Sequence, residues 1–250
     1  MTSMAKVLAF GAALLVAACG HAPVSSAVND PHEAVNRVWF QRNLALAGAV
    51  TRGDSAPADT ALEAPDAPPA RHPVRHALGN FGANLGLPGT ILNDLLQLRP
   101  DHATENALRL LINTTIGLGG LFDPASRLGV HGRTSDFGET LHRWGAPEGA
   151  YVVLPVFGPS TERDALGLVV DTVMDPMRLI LPASREYNVS VGARLAGRFA
   201  NAAEYSDLLD ANVINTADPY AQARLLYLQT RRYHLGIQAE DEIIDPYADF

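Results

Sequence analysis

Residues 103–124, ATENALRLLINTTIGLGGLFDP, carry the feature that decides the fold, a helical segment that runs directly into a cluster of glycines. The apolar residues of 103–114 recur at helical spacing, which predicts a helix over this range. A glycine-rich connector follows over residues 115–135, and Asp123-Pro124 within it predicts a turn. The rest of the chain can be interpreted outward from this junction.

Three glycines of the connector, Gly117, Gly119 and Gly120, allow two structural interpretations. They could let neighbouring helices pack closely, or they could form a hinge at a membrane face. We treat them as hinge candidates. A nucleotide site explains them poorly, because the stretch is not GxGxxG, no strand precedes it and no P-loop lysine follows it.

Helical signals continue on both sides of the connector. Asp30 is predicted to cap the first helix and Asp136 the helix that starts there. Gly86 and Pro88 are predicted to separate the second and third helices, and Ser160 or Thr161 to cap a long apolar helix downstream. The predicted helices cover about residues 30–50, 74–85, 90–98, 103–114, 136–144, 161–174, 189–210 and 219–234, with an extended segment at 151–155. Period-2 alternation is almost absent and no NG or DG hairpin turn occurs. We therefore predict an all-α fold with one helical domain over residues 30–234.

The N-terminus carries a targeting signal. Lys6 precedes an apolar run over residues 7–18 that is too short to span a bilayer, and the only cysteine, Cys19, follows at once. The VAAC sequence that ends there fits the bacterial lipobox, in which the thiol is acylated and the cysteine becomes the mature N-terminus. We predict a signal peptide over residues 1–18, although an unmodified cysteine in an ordinary signal peptide is the alternative. Gly20 is not the aspartate that retains lipoproteins at the inner membrane, which favours the periplasmic face of the outer membrane.

Composition sets limits on the partners. Apolar residues make up 47% of the 250-residue chain, enough for a core, and the net charge of −8 argues against binding nucleic acid. Lys6 is the only lysine, so the side-chain cations of the mature chain are arginine and histidine. Residues 19–29 are predicted to form a tether, residues 51–73 a disordered loop rich in Ala, Pro and Asp, and residues 235–250 an acidic tail.

Reactive side chains offer little chemistry. Ser160 lies in GPSTERD, which lacks the second glycine of GxSxG, so a helix cap is favoured over a nucleophile. His72 and His76 have the spacing of metal ligands, but Pro73 between them disrupts a common helical face. The carboxylates of the densest motifs form no evident acid–base pair; they are Asp123, Asp136, Glu139 and Asp164. We expect no metal, no cofactor and no enzymatic activity.

Residues 165–174, ALGLVVDTVM, are apolar around most of a helix. Such a helix is either buried in protein or exposed to lipid. Composition alone favours burial, whereas the predicted lipid anchor favours lipid. We accordingly treat Leu168, Val169 and Val173 as membrane-facing candidates.

Seven motifs, in order along most of the mature chain, carry a family resemblance. They are DPHEAVNR at 30–37, NFGANL at 80–85, LNDLLQ at 92–97, INTTIGLGGLFDPA at 112–125, DFGETL with WG at 136–145, YVVLP with GPS and RD at 151–164, and DPY with YLQ and RR at 218–232. In these motifs the chain resembles the VacJ/MlaA outer-membrane lipoproteins of the phospholipid-retrieval (Mla) system.

The resemblance implies a ring-like helical protein in the periplasmic leaflet of the outer membrane. Such a ring would enclose a polar channel through which phospholipid mislocalised in the outer leaflet descends to a periplasmic lipid-carrier protein. The family associates with trimeric porins, and neither ATP nor metal acts in this component. Arg194 and Arg198 would be the candidates that pair with the lipid phosphate, although either could instead extend to a solvated surface.

The chain departs from the family pattern at several points. His32 replaces a large apolar residue, residues 51–73 replace a stretch rich in Tyr and Arg, and an arginine usual near residue 203 is absent. These departures put in doubt the contacts that the replaced stretch makes. Two other functions stay open. The chain could be an envelope lipoprotein hydrolase that acts on lipid through Ser160, or a passive porin-bound spacer.

Replacing Cys19 by alanine tests the anchor. The variant should accumulate as an unlipidated and mislocalised precursor, because no other residue offers the thiol that the acylation requires. Mass spectrometry of the mature N-terminus measures this. An unmodified Cys19 in the wild-type protein, or a mature chain that starts elsewhere, would contradict the lipoprotein assignment.

Overall fold

The computed structural model describes residues 28–51, 73–181, 184–204, 213–214 and 216–237. The signal peptide, Cys19 and residues 238–250 of the acidic tail lie outside the described residues, as does the interior of the predicted loop. The two ends of that loop, Thr51 and Pro73, belong to helices.

Helices make up most of the described chain, which confirms the predicted fold class apart from one short hairpin. In chain order the elements are α1 (Glu33–Thr51), α2 (Pro73–Leu96), α3 (Pro100–Thr115), α4 (Pro124–Arg127), α5 (Phe137–Arg143), β1 (Tyr151–Leu154), β2 (Gly158–Thr161), α6 (Glu162–Val173), α7 (Met177–Ile180), α8 (Ser184–Glu204) and α9 (Pro219–His234). Helix α2 packs against both α8 and α3, α5 packs on α6, and the hairpin lies between α1 and α9.

The predicted break at Gly86 and Pro88 is wrong, because α2 continues through Pro88. An internal proline removes a helical hydrogen bond and costs about 3 kcal/mol. Close packing between α2 and α8 offsets this cost. A Cβ atom on Gly82 would lie only 3.1 Å from the Cα atom of Gly197, so the two backbones nearly touch. The tertiary contact thus allows the helix to continue past Pro88.

The hairpin is a second correction. Strands β1 and β2 pair antiparallel, with Tyr151 opposite Thr161 and Leu154 opposite Gly158. Their turn contains neither NG nor DG. Instead Val156 has a φ of 70°, a backbone conformation that β-branched residues rarely adopt. The usual sequence signal for a tight turn is therefore missing.

Two asparagines of α1 take the place of a third strand beside β1. The Asn36 amide donates to the Tyr151 carbonyl at 3.0 Å and accepts from the Val153 amide at 2.9 Å. Asn43 makes the same pair of bonds farther along, with the Leu154 carbonyl and the Val156 amide, each at 2.9 Å. The two side chains satisfy backbone groups that would otherwise be unpaired.

Asp30 does not cap α1 as predicted, because the helix begins only at Glu33. Its carboxylate accepts hydrogen bonds from Asn36 and from Tyr220 and Arg224 of α9. Asp30 therefore ties the start of the described chain to the last helix. A neighbouring link reinforces this tie. Arg37 makes two hydrogen bonds to Asp218, at 3.0 and 2.7 Å.

Polar side chains occupy much of the space between the helices. The buried ones include Asn84, Asn93, Asp94, Asn106, Asn113, Glu139 and Thr140. They largely satisfy one another. Asn93 donates to Asp171 at 2.7 Å, and Asn106 donates to Asp94 at 2.8 Å. The apolar core beside the hairpin is small and consists of Phe40, Tyr151, Val153, Val213, Tyr220 and Leu228.

Large apolar side chains lie on the outside. Leu98 and Leu179 are 88% and 87% exposed, and Ile116, Leu118 and Val189 are each about two thirds exposed. Polar groups inside and apolar groups outside reverse the usual arrangement of a water-soluble domain. No helix in the described ranges has the length and apolar character needed to cross a membrane.

The glycine connector follows the end of α3 as a tight turn. Gly119 and Gly120 have φ values of 75° and 100°. A Cβ atom on Gly117 would lie 2.5 Å from two backbone oxygens, and one on Gly120 would lie 2.5 Å from the Cβ atom of Asn84. Nothing lies within 4 Å of the Cβ position of Gly119. Packing accounts for Gly117 and Gly120, and the hinge stays a prediction.

Asn36→Leu should destabilise the protein by about 2–4 kcal/mol, because it leaves a buried amide and a buried carbonyl of β1 without partners. Denaturant unfolding of the detergent-solubilised protein measures the free energy of unfolding. The control is Gln41→Leu, at an exposed position of the same helix. Equal stability of the two variants would show that the asparagine bonds do not support β1.

Alanine substitutions in the connector should differ in effect. Gly117→Ala and Gly120→Ala should lower the amount of folded protein strongly, because each added methyl group meets atoms that cannot easily move. Gly119→Ala should cost only about 1 kcal/mol, the strain of its positive φ. Protein abundance and thermal unfolding measure these effects. If Gly119→Ala folds normally but changes the lipid transport that the family resemblance implies, the hinge is supported. An unchanged transport rate would remove Gly119 from it.

Candidate functional site

Arg231 of α9 joins the N-terminal ends of two other helices. Its guanidinium donates to Asp136 at 2.8 and 2.7 Å and to Asp164 at 2.8 and 3.0 Å. Asp136 caps α5, as predicted, and accepts from the Glu139 amide at 2.8 Å. Asp164 lies in the first turn of α6. Both carboxylates stand where the helix dipole favours negative charge.

Close backbone packing brings these carboxylates together. A Cβ atom on Gly167 of α6 would lie 2.7 Å from the Cα atom of Gly138 in α5, so only glycine fits there. Burial alone would raise the pKa of Asp164, but the hydrogen bonds and charge of Arg231 outweigh burial and lower it. Burial alone would lower the pKa of Arg231, but its hydrogen bonds to the two aspartates outweigh burial and raise it.

A cavity of about 230 Å³, the Arg198 cavity, adjoins this cluster. Its walls are formed by Asp136, Leu154, Phe157, Pro159, Ser160, Asp164, Leu168, Arg198, Tyr227 and Arg231. The Arg198 guanidinium lies 5.9 Å from the centre of the Phe157 ring. Arg198 is exposed in part while its guanidinium lies among the cavity walls, and no carboxylate of the described residues lies within ion-pair distance of it. The surrounding protein, and then the charge of Arg194, lower the pKa of Arg198.

Arg194 has a different environment, although it lies one turn from Arg198 on α8. Its guanidinium pairs with the buried carboxylate of Asp175. Tyr187 also donates to Asp175, at 3.1 Å. Arg194 therefore has a structural partner, whereas no carboxylate within the described ranges occupies the donors of Arg198.

Ser160 does not have the surroundings of a nucleophile. It is buried, and its hydroxyl donates to the Thr161 carbonyl at 3.3 Å. Thr161, the other predicted cap, is the residue that caps α6. No histidine of the described residues lines the Arg198 cavity. Within the described ranges no group of three or more His, Cys, Asp or Glu side chains could hold a metal ion, and His72 lies outside them.

The three membrane-facing candidates of α6 have different surroundings in the structure. Leu168 lines the Arg198 cavity, Val169 is half-buried, and Val173 is 56% exposed. Beyond Val173 the chain exposes Met174 and then Ile180. Their contact with lipid stays a prediction.

Sequence reasoning missed the central role of Arg231. The motifs that contain Asp136, Asp164 and Arg231 are separated by long stretches of chain, and nothing in their spacing indicates that they meet. A usable signal was the repeated asparagine and aspartate inside apolar helices, at Asn93 and Asn106 among others. Such residues must be paired when they are buried.

Comparisons with known proteins identify relatives of this chain. A family model described as MlaA lipoprotein matches residues 28–234. The intermembrane phospholipid transport system lipoprotein MlaA of Escherichia coli K12 is 29% identical over 234 residues, covering 90% of this chain and 85% of that protein. An uncharacterized protein of Rickettsia bellii is 31% identical over 159 residues, and the match covers 63% of this chain and 61% of that relative's length.

A solved structure shares the fold. It comes from work on the structural basis for maintenance of bacterial outer membrane lipid asymmetry, and it aligns with a TM-score of 0.60 at 26% identity. The alignment covers 83% of this chain and 99% of that one. Since the family model matches most of the sequence, this chain belongs to the MlaA lipoprotein family.

Proposed function

We propose that this protein is a lipid-anchored component of intermembrane phospholipid transport at the outer membrane. It would pass phospholipid mislocalised in the outer leaflet through a polar passage to a periplasmic carrier protein, and so maintain lipid asymmetry. The observation that carries the proposal is the Arg198 cavity, in which a guanidinium lies beside apolar side chains and has no carboxylate partner in the described part of the chain. The names of the E. coli relative and of the solved structure support the same role.

The distribution of polarity supports a lipid surrounding. Large apolar side chains such as Leu179 and Ile180 cover the outside, while amides and carboxylates bond to one another inside. In water the exposed apolar area would be unfavourable by roughly 25 cal/mol per Å². In the periplasmic leaflet the same side chains would contact acyl chains, and the acyl groups on Cys19 would hold the protein there.

The Arg198 cavity suits the two parts of a phospholipid. A phosphodiester that leaves water loses its hydration, and a charge-assisted hydrogen bond from Arg198 would replace it. Phe157 and Leu168 offer apolar surface beside that cation. Arg231 and Arg163, which lies 3.2 Å from Asp164, together balance the charges of Asp136 and Asp164. The cluster therefore forms a rigid polar wall that does not trap the phosphate. No covalent step is needed.

The remaining partners follow from the family resemblance. A ring-like arrangement beside a trimeric porin would hold the passage open to the outer leaflet, and a periplasmic lipid carrier would receive the lipid below. The exposed end of α6 and α7 is the surface that we assign to the membrane, with Val173 at its edge.

Arg198→Glu should strongly reduce retrieval of outer-leaflet phospholipid, because it places a negative charge where the phosphate would pass. Arg198→Lys should retain much of the activity, since it keeps the charge. Surface labelling of outer-leaflet phospholipid in complemented deletion strains measures retrieval. Arg185→Glu, at an exposed arginine of the same helix, is the control.

Full activity of Arg198→Glu at normal abundance would remove Arg198 from the passage. Arg194→Glu is a weaker test, because it sets a second carboxylate against Asp175 and should lower the amount of folded protein. Arg194→Lys should preserve both abundance and retrieval.

A further inference from the structure

A second and larger cavity, the Arg133 cavity, lies on the other side of α9. Its volume is about 1230 Å³, above the roughly 300–1,000 Å³ usual for small-molecule sites. The start of α3, the segment before α5, and the C-terminal half of α9 form its walls. The site is therefore large enough for a long amphipathic molecule.

Helix α9 lines both cavities. Tyr227 and Arg231 of α9 face the Arg198 cavity, whereas Leu228 and Arg232 face the Arg133 cavity. Successive residues of a helix point about 100° apart, so one helix can line both spaces. The ion pairs of Arg231 with Asp136 and Asp164 form part of the wall between them.

The Arg133 cavity has an excess of positive charge in a chain whose net charge is −8. Its charged lining consists of Arg99, Arg133, Arg232 and the single acid Glu139. Glu139 is already bonded to Arg99 at 2.6 Å, and Arg232 pairs with Glu148 at 3.0 Å. Arg133 is exposed and has no carboxylate within ion-pair distance among the described residues.

Apolar side chains of α9 and the residues after it stand opposite these cations. Leu225 and Ile237 are partly exposed and Tyr233 is 81% exposed, although all three line the cavity. A free cation beside open apolar surface matches an anion that carries a hydrocarbon part. One negative charge on the ligand is enough to balance the site, because Arg133 is the one arginine of the lining without a carboxylate partner in the described chain.

We propose that the Arg133 cavity is a second lipid-binding site, in which Arg133 pairs with the phosphodiester of a phospholipid and α9 contacts its acyl chains. The inference rests on the proposed function for the source of the lipid. A lipid that moves along the protein would then meet two separate phosphate-binding arginines, Arg198 and Arg133, on opposite sides of the Arg231 wall.

Arg133 can be changed without disturbing the fold. Its backbone amide and carbonyl bond to the Asn106 side chain at 3.3 and 3.0 Å, and these bonds do not involve the Arg133 side chain. Arg133→Gln should therefore accumulate like the wild type. Arg185→Gln serves as the control for loss of one exposed positive charge.

Site-specific photo-crosslinking in the full-length, membrane-bound protein tests the proposal. A photoreactive phenylalanine at position 233 should label phospholipid in cells, and Arg133→Gln should reduce that labelling about tenfold, as expected for loss of a charge-assisted hydrogen bond. Arg185→Gln should leave labelling unchanged. In the purified protein, dihexanoyl phosphatidylglycerol should suppress labelling, whereas inorganic phosphate at equal concentration should not.

Three results would overturn the proposal: no phospholipid adduct at position 233, labelling that is insensitive to Arg133→Gln, or suppression by inorganic phosphate equal to that by the lipid. A second probe at position 157 reports on the Arg198 cavity. Adducts at 157 without adducts at 233 would reject the second site and leave the proposed function standing. Adducts at 233 without adducts at 157 would support the second site and reject the passage at Arg198.

Discussion

The pairing of Arg231 with Asp136 and Asp164 is the interaction on which the arrangement of the last helix depends. Removing an ion from water costs several kcal/mol, and the cost is recovered only when the geometry of the pair is good. Arg231 meets this condition with four hydrogen bonds to two carboxylates. The cluster connects α9 to the starts of α5 and α6. It consequently positions the walls of both cavities.

The polar interior affects the kind of surroundings, water or lipid, in which the protein is stable. Buried amides such as Asn93 and Asn106 orient the helices through directional bonds, which apolar packing alone would not provide. These polar side chains leave room for only a small apolar core, which is built around Tyr151 and Tyr220. With so little apolar area inside, the exposed leucines and valines must find their apolar contacts elsewhere. In the proposed location a lipid leaflet would provide them, and this links the fold to that location.

Local signals in the sequence predicted the helices well and the contacts between them poorly. Asp136 was predicted as a cap and is one, and of the two cap candidates Ser160 and Thr161 it is Thr161 that caps α6. Capping is predictable because it depends on bonds within a few residues. Pro88 misled the prediction because its effect is overridden by contacts with α8, more than a hundred residues away. The hairpin was missed for a similar reason, since Asn36 and Asn43 of a distant helix stabilise its edge. The structural role of Arg231 could not be predicted at all, because its two partners lie far away in the sequence.

Arg194 and Arg198 show most clearly why a site cannot be assigned from spacing alone. Both follow small residues on α8, one turn apart, and the sequence offers no reason to distinguish them. The difference comes from Asp175, which follows α6 and neutralises Arg194, whereas no carboxylate of the described residues pairs with Arg198. A paired arginine stabilises the protein, and an unpaired one beside apolar walls is ready for an anion. The position of one aspartate thus decides which of two similar arginines we propose for the lipid phosphate.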